Sequence, residues 1–174
     1  MLVNLTDVFT KEGKTQTLTV PYEQEEFASQ LGTFQIKEKT PVTLNLSNIG
    51  QSKASVDGNM KLTLGMKCDR CLTDVDYTFD LDFSMTVVSP DYTEQTDDID
   101  DMQFMESYHL NVDELINNEI LLNWPMKVLC TETCKGICKK CGKNLNEGDC
   151  DCDDFVPDPR MAAIKDIFYA NKEV

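Results

Sequence analysis

The sequence predicts an α+β protein: a mainly antiparallel β-sheet or partly open barrel, with two helices and a cysteine-rich zinc-knuckle region. Apolar and polar residues alternate over two long segments between residues 54 and 87, and six of the eight cysteines fall within residues 130–152. We expect residues 1–125 to form a β-rich domain with a knuckle at a hairpin tip, an acidic loop and one helix. Residues 126–174 are then a cysteine-rich segment and a last helix, packed on the first part.

The first forty residues carry weak patterns. Residues 15–20 form a plausible short strand that ends at Pro21. We expect residues 22–31 to be a helical turn or a loop closed by Gly32, and residues 33–36 to form another strand. Residues 42–47 alternate apolar and polar side chains, which is typical of a strand with one buried face.

The clearest pattern is a pair of long strands. Apolar residues occupy even positions from residue 54 to 66 and odd positions from residue 75 to 87. Each strand therefore has one buried and one solvent-facing side, and the two are predicted to pair in antiparallel fashion. The connection between them contains Cys68 and Cys71, which places this cysteine pair at the tip of a hairpin.

Residues 91–107 contain seven acids and no basic residue. We interpret them as a mobile, solvated loop, or as an arm that docks on a basic protein or an RNA-binding partner. A helix then follows, with Asn111 as its cap and its end before Pro125.

The last predicted helix begins with Asp158 as cap and Pro159 at its first position. It has an apolar stripe at helical spacing, which we interpret as core packing or as a docking face. The stripe consists of Met161, Ile164, Ile167 and Phe168.

Metal binding explains the cysteines best. The first residues lack the basic and apolar regions of a secretory signal, and no apolar run is long enough to span a membrane. We therefore expect a soluble cytoplasmic protein without membrane contact. A reducing compartment keeps thiols reduced, and clustered C-x2-C spacing there is typical of zinc. Disulfides, redox chemistry and plain buried thiols are the alternatives.

A structural zinc ion prefers four thiolates arranged as a tetrahedron. The candidate ligand pairs are Cys68/Cys71, Cys130/Cys134, Cys138/Cys141 and Cys150/Cys152. They predict two zinc sites, but the spacing leaves their grouping open. The preferred grouping joins the first two pairs across the hairpin tip and the last two in a local knuckle. In a rival grouping the two C-x2-C pairs share one ion, and in a third interpretation only one site is occupied.

The net charge of −15 argues against a general nucleic-acid binder, and eight thiolates with two zinc ions would bring it to −19. A cluster of lysines contrasts with this overall negative charge. We interpret these lysines either as offsetting the thiolate charge or as contacting RNA phosphates. They are Lys127, Lys135, Lys139, Lys140 and Lys143.

Catalysis has little support in the sequence. The single histidine, His109, stands beside the acidic segment, and we expect it to be a surface residue. The sequence contains no phosphate-binding glycine loop, nucleophile elbow or zinc-protease motif. A catalytic zinc would also keep an open coordination position. We therefore expect a protein that is not an enzyme, with a hydrolase as the least favoured alternative.

Several motifs occur in a characteristic order: Cys68-Asp69-Arg70-Cys71-Leu72, residues 119–122 followed by Pro125, the cysteine array, and Asp158-Pro159-Arg160. In this order the chain resembles the bacterial large ribosomal RNA subunit accumulation proteins, the YceD-type family, from about residue 42 onward. Trp124 departs from the family pattern, in which a smaller aliphatic residue is expected.

The resemblance implies a cytoplasmic, non-enzymatic factor needed for synthesis, processing or stability of 23S rRNA. Its partner would be a ribosomal RNA precursor, contacted through the lysines, or a basic ribosomal protein, contacted through the acidic surface. The alternative is a cysteine-based redox or iron–sulfur protein. Against thioredoxin-like chemistry, no βαβ pattern surrounds Cys68 and Cys71.

Overall fold

The computed structural model describes residues 1–50, 52–91 and 104–152. Within these ranges the chain forms nine strands and two helices. The strands are β1 (Leu2–Asn4), β2 (Thr15–Val20), β3 (Glu26–Ser29), β4 (Gly32–Lys39), β5 (Val42–Gly50), β6 (Lys53–Lys67), β7 (Asp74–Val88), β8 (Met105–Glu106) and β9 (His109–Asn111). The helices are α1 (Thr6–Thr10) and α2 (Val112–Leu122).

Strands β6 and β7 form the central hairpin, in continuous antiparallel register from Lys53 opposite Val88 to Lys67 opposite Asp74. Even positions of β6 point into the core, and Leu62 is 1% exposed opposite Phe79, which is 2% exposed. Polar residues cover the other face. The predicted pair of long strands and the placement of a cysteine pair at their tip are confirmed.

The opposite edge of β6 is shared by two strands. Strand β5 pairs with its first part and β4 with Leu62–Leu64, while β2 extends the sheet beyond β5 and β3 extends it beyond β4. The result is a branched six-stranded antiparallel sheet, which is not a closed barrel. Of the two arrangements predicted from the sequence, the structure has the antiparallel sheet.

The prediction of a helical turn or loop over residues 22–31 is wrong for Glu26–Ser29, which form strand β3. Glu26–Ser29 pairs with β4 because Phe27, only 1% exposed, lies in the core. The ring of Phe27 lies 6.4 Å from that of Phe34 and 5.9 Å from that of Trp124, measured between centroids. With one buried residue among four, β3 shows too little alternation of apolar and polar residues to be predicted from the sequence.

A second sheet, in the order β1-β9-β8, leads directly into α2. Asn111 caps α2 as predicted, since its side chain accepts a hydrogen bond from the Glu114 N–H at 3.4 Å. The predicted loop over residues 91–107 is wrong for residues 104–106, because Phe104 is buried and Met105–Glu106 forms β8. His109, predicted to lie at the surface, is half-buried in β9.

Two predicted features lie outside the described residues: the rest of the acidic segment, residues 92–103, and the helix predicted to begin at Asp158. The five-residue helix α1 was not predicted. None of the helices in the described ranges combines the length and the apolar character needed to span a membrane.

Trp124 connects the core to the cysteine-rich region. Its indole lies just beyond α2 and contacts the rings of Phe27, Phe34 and Phe79, with centroid distances of 5.9, 5.0 and 5.9 Å. This aromatic cluster explains how a residue larger than expected is accommodated. It also fixes the point from which the chain leaves α2 towards the hairpin tip.

Candidate metal centres

The tip of the β6–β7 hairpin presents two sulfurs on one side. The Cys68 N–H donates to the Thr73 carbonyl at 2.8 Å, and the Leu72 N–H donates to the Cys68 carbonyl at 2.9 Å. This tight turn requires a left-handed backbone at Leu72, with φ of 62°. Cys68 is fully buried and Cys71 is 6% exposed.

The segment after α2 is bound to this tip through its backbone. The Asp69 N–H donates to the Val128 carbonyl at 2.9 Å, and the Val128 N–H donates to the Asp69 carboxylate at 2.7 Å. Further along, the Arg70 guanidinium donates to the Cys134 carbonyl at 2.7 Å. These contacts bring Cys130 and Cys134 to the two cysteines of the hairpin.

The first candidate centre therefore consists of Cys68, Cys71, Cys130 and Cys134, whose sulfurs all lie within 4.8 Å of one another. The Cys68–Cys134 and Cys71–Cys130 sulfur distances are 3.8 and 3.5 Å. Disulfide sulfurs lie about 2.05 Å apart, so these pairs are not disulfides. Four thiolates at about 2.3 Å from one zinc ion are separated by about 3.8 Å in a tetrahedron. The four sulfurs fit one such ion.

The second candidate centre consists of Cys138, Cys141, Cys150 and Cys152, again with all sulfurs within 4.8 Å of one another. Its knuckle repeats the backbone hydrogen bonds of the hairpin tip. The Cys138 N–H donates to the Lys143 carbonyl and the Gly142 N–H to the Cys138 carbonyl, both at 2.9 Å. This centre is less shielded than the first, because Cys141 is exposed.

The two centres are adjacent. Gly136 has φ of 83°, and a Cβ at this position would lie 3.1 Å from the Arg70 carbonyl oxygen, so the chain passes close to the hairpin tip. The Asn146 side chain accepts a hydrogen bond from the Lys135 N–H at 2.8 Å and donates to the Cys134 sulfur at 3.3 Å. Asn146 thus connects the second knuckle to a ligand of the first centre.

The thiols of the first centre differ in acidity. Burial raises the pKa of Cys68, but hydrogen bonds from neighbouring backbone N–H groups, first that of Arg70, outweigh burial and lower it to about 6. The neighbouring sulfur of Cys71 raises the pKa of Cys130 to about 12. Once one thiolate has formed, the next is opposed by its charge. A divalent cation at the centre would remove this opposition.

The second centre shows the same division. The backbone N–H groups of Cys141 and Lys140 lower the pKa of Cys138 to about 6. The neighbouring sulfur of Cys141 raises the pKa of Cys152 to about 12. Each centre therefore combines at least one thiol whose pKa is lowered with at least one whose pKa is raised, and a cation would favour ionisation of the latter.

The structure brings together the cysteines of the grouping preferred from the sequence, and the rival grouping of the two C-x2-C pairs is not the one formed. Sequence reasoning missed two side chains that bond the sulfurs: Thr73, whose hydroxyl lies 3.1 Å from the Cys71 sulfur, and Asn146. Thr73 stands two positions after a ligand. No such position in the sequence points to Asn146, because its contact with the Cys134 sulfur depends on the folded loop.

All five predicted lysines are exposed and lie in the cysteine-rich region. Lys143 donates to the Asp149 carbonyl at 2.8 Å, and Lys135 lies 3.6 Å from the Asp149 carboxylate. Among the described residues, no ion pair involves Lys127, Lys139 or Lys140.

Comparisons with known proteins identify relatives of the chain. The Arabidopsis thaliana protein "Large ribosomal RNA subunit accumulation protein YCED homolog 1, chloroplastic" is 27% identical over a match that covers 65% of this chain and 44% of that protein. "Uncharacterized protein YlbN" of Bacillus subtilis (strain 168) is also 27% identical, with 79% of this chain and 80% of that protein covered. The chain thus spans less than half of the Arabidopsis protein. No solved structure is significantly similar to it.

A family model matches more than half of the chain, from residue 56 to residue 168, and so includes both cysteine groups. The model describes the large ribosomal RNA subunit accumulation protein YceD. The β6–β7 hairpin with its two cysteines, α2 and the second knuckle all fall within or largely within the match. This chain belongs to the YceD family of large ribosomal RNA subunit accumulation proteins.

Proposed function

We propose that the chain is a non-enzymatic, zinc-binding factor of ribosome biogenesis in the cytoplasm, supporting synthesis, processing or stability of 23S rRNA. The observation that carries the proposal is the pair of four-cysteine centres within the region matched by the family model. Four thiolates complete the coordination of a tetrahedral ion, so neither centre offers an open position for a substrate. This arrangement favours a structural metal.

Zinc fits the sulfur geometry better than a four-iron cluster. Each cysteine of a four-iron cluster binds a different iron, which separates its sulfurs more than ligands of one ion are separated. The Cys71–Cys130 distance of 3.5 Å matches two ligands of a single ion. A single iron would fit the same sulfurs, but it would give the protein a visible colour that zinc cannot give.

The metal of the first centre would act as a clasp between distant parts of the chain. Cys68 and Cys71 lie on the central hairpin, whereas Cys130 and Cys134 lie in a segment without helix or strand. Binding energy at such a site is also folding energy, because the four ligands must be brought together. The metal would hold the cysteine-rich region, with its lysines, against the hairpin tip.

The distribution of charge supports RNA as the partner. On the outer face of the hairpin, acids of β7 are matched by lysines: Asp74 pairs with Lys67 at 2.5 Å and Asp80 with Lys61 at 2.7 Å. In the cysteine-rich region, Lys127, Lys139 and Lys140 form no such pairs among the described residues. Unpaired, exposed lysines can act as point charges on phosphates. A basic ribosomal protein bound by the acidic surface is the other partner considered.

Elemental analysis of the purified protein tests the metal assignment. We expect two zinc ions per chain, and one in each of the variants Cys68→Ser and Cys138→Ser. Thr133→Ser, an exposed substitution between the ligands Cys130 and Cys134, should keep both ions. One ion in the wild type and in both variants would refute the two-centre proposal, and a coloured, iron-containing protein would refute zinc.

RNA binding is tested with fragments of 23S rRNA at increasing salt. We expect affinity to fall linearly with salt on a logarithmic plot, because phosphate contacts release counterions. The double variant Lys139→Gln/Lys140→Gln should bind more weakly and with a shallower slope. Lys11→Gln/Lys53→Gln, which removes two lysines from the β-rich part, should match the wild type. Equal binding by both double variants would refute the lysine assignment.

A further inference from the structure

The two C-x2-C knuckles of this chain form the same backbone hydrogen bonds but carry different residues directly after the second cysteine. Leu72 follows the second cysteine of the first knuckle, and Gly142 follows the second cysteine of the other. Both residues are left-handed, with φ of 62° and 74°. Both donate their N–H to the carbonyl of the knuckle's first cysteine at 2.9 Å. The chain therefore contains its own comparison between leucine and glycine at this position.

Leucine is an unfavourable residue for this conformation. A left-handed backbone brings its Cβ close to the following carbonyl oxygen, a strain that glycine avoids. Burial in the core could offset the strain, but the Leu72 side chain is 60% exposed. Packing within the described part of the chain therefore offsets little of this strain. Strained residues that persist in this way tend to occur where a molecule binds.

The knuckle region that carries Leu72 also contains a second partly exposed apolar residue and several cations. Ile137, 37% exposed, pairs with Asn144, whose side-chain amide lies 3.5 Å from the Thr73 hydroxyl next to Leu72. Arg70 is exposed in the first knuckle. Lys139 and Lys140 occupy the corresponding two positions of the second knuckle, between its cysteines.

We propose that Leu72, with Ile137 nearby, packs against an unstacked base of single-stranded RNA, while the lysines of the knuckle region contact the neighbouring phosphates. This inference rests on the proposed function and specifies the form of RNA and the residue that contacts a base. Unpaired bases expose apolar faces, whereas A-form duplexes bury theirs and are recognised by shape and backbone. The two partly exposed aliphatic side chains offer far less surface than the roughly 800 Å² that each partner contributes to a standard protein interface. A single base therefore suits this area better than a protein does.

The variant Leu72→Gly separates binding from folding. Because glycine suits the left-handed position, we expect the zinc content to stay at two ions and the melting temperature to stay equal or rise. Affinity for a short, unpaired RNA oligonucleotide of mixed sequence should fall roughly tenfold, from the loss of most of a leucine's apolar contact. Fluorescence anisotropy with the labelled oligonucleotide measures this. Affinity for a fully paired RNA duplex should not change.

Two further variants identify the source of the loss. Leu122→Ala removes a leucine that is 70% exposed on α2 and should bind the oligonucleotide like the wild type. Lys139→Gln/Lys140→Gln should reduce the salt slope by about 0.7 for each lysine that contacts a phosphate of a single strand. Leu72→Gly should leave that slope unchanged, because it removes an apolar contact.

Several outcomes would overturn the inference. If the wild type binds the oligonucleotide and Leu72→Gly binds it equally well, the base contact is wrong while the proposed function stands. A melting temperature lowered by several degrees, or a lost zinc ion, would make Leu72 a structural residue. If the wild type binds no RNA even at low salt, the RNA part of the proposed function fails as well. Unchanged RNA binding with weaker binding to a basic ribosomal protein would make the tip a protein contact.

Discussion

Gly136→Ala is the substitution whose effect on the first metal centre can be worked out most directly. Gly136 has φ of 83°, and an added Cβ would lie 3.1 Å from the Arg70 carbonyl oxygen. The left-handed backbone costs alanine about 1 kcal/mol relative to glycine. Displacing the Arg70 backbone adds roughly 1–2 kcal/mol, as other overpacked sites do. The total is about 2–3 kcal/mol.

The matched control is Gly142→Ala. Gly142 has φ of 74°, but no described atom lies within 4 Å of a Cβ added there. This variant therefore has the backbone cost of about 1 kcal/mol and no steric cost. The difference between the variants, roughly 1–2 kcal/mol, corresponds to about a tenfold difference in an equilibrium constant.

Competition with a chromophoric chelator measures these costs, since metal binding at such centres is coupled to folding. Gly136→Ala should lower the apparent zinc affinity of the first centre, and about tenfold more than Gly142→Ala lowers that of the second. Cys138→Ser and Cys68→Ser backgrounds isolate the two centres. Equal losses in the two variants, or a larger loss for Gly142→Ala, would refute the close approach of Gly136 to Arg70.

Three other predictions follow from the same structure. A chelator added to the zinc protein should remove the ion of the second centre faster than that of the first, because Cys141 is exposed whereas Cys68 and Cys134 are buried. Cys138→Ser should abolish the fast phase, and single-phase release of both ions would contradict this prediction. In the folded, metal-free protein, thiolate absorbance should rise as the pH passes about 6, because the lowered pKa values of Cys68 and Cys138 favour the thiolate above that pH and lose it below. Cys68→Ser should remove part of this step, and ionisation of all thiols near their ordinary pKa would count against the hydrogen-bonding described. Trp124→Ala should lower the free energy of unfolding by about 3–5 kcal/mol, measured by circular dichroism in denaturant, because the indole contacts three rings; a loss below about 1 kcal/mol would exclude Trp124 from the core.

The sequence predicted the long hairpin because its alternation persists over more than a dozen residues on each strand, with one face of β6 buried throughout and one face of β7 buried or half-buried. Short elements escaped prediction for the opposite reason. Strand β3 buries only Phe27 fully, and Met105–Glu106 is too short to show any period. The alternation of apolar and polar residues therefore identified the longer strands, including the edge strand β2, and missed the shortest ones.

The cysteines show a similar division. Their spacing predicted two sets of four ligands, but the grouping depends on contacts between distant segments. Cys130 reaches Cys71 because the backbone of Val128 forms two hydrogen bonds with Asp69, one to its N–H and one to its carboxylate, and no pattern in the sequence specifies that contact. The bond from Asn146 to the Cys134 sulfur likewise depends on the folded loop. Residue identity was enough to infer that the ligands are cysteines, whereas the tertiary structure was needed to show which cysteines share a centre.

The position of β6 has a consequence for the order of assembly. Strand β6 pairs with β4, β5 and β7, so the sheet is complete only when β6 is in place. Cys68 directly follows its last residue, and the tight turn then holds Cys71 beside it. Half of the first centre is thus built by the hydrophobic collapse of the sheet, before any metal is needed. An ion bound as we propose would have only to capture the segment that carries Cys130 and Cys134, and metal supply would then control the docking of the cysteine-rich region while the β-sheet folds without it.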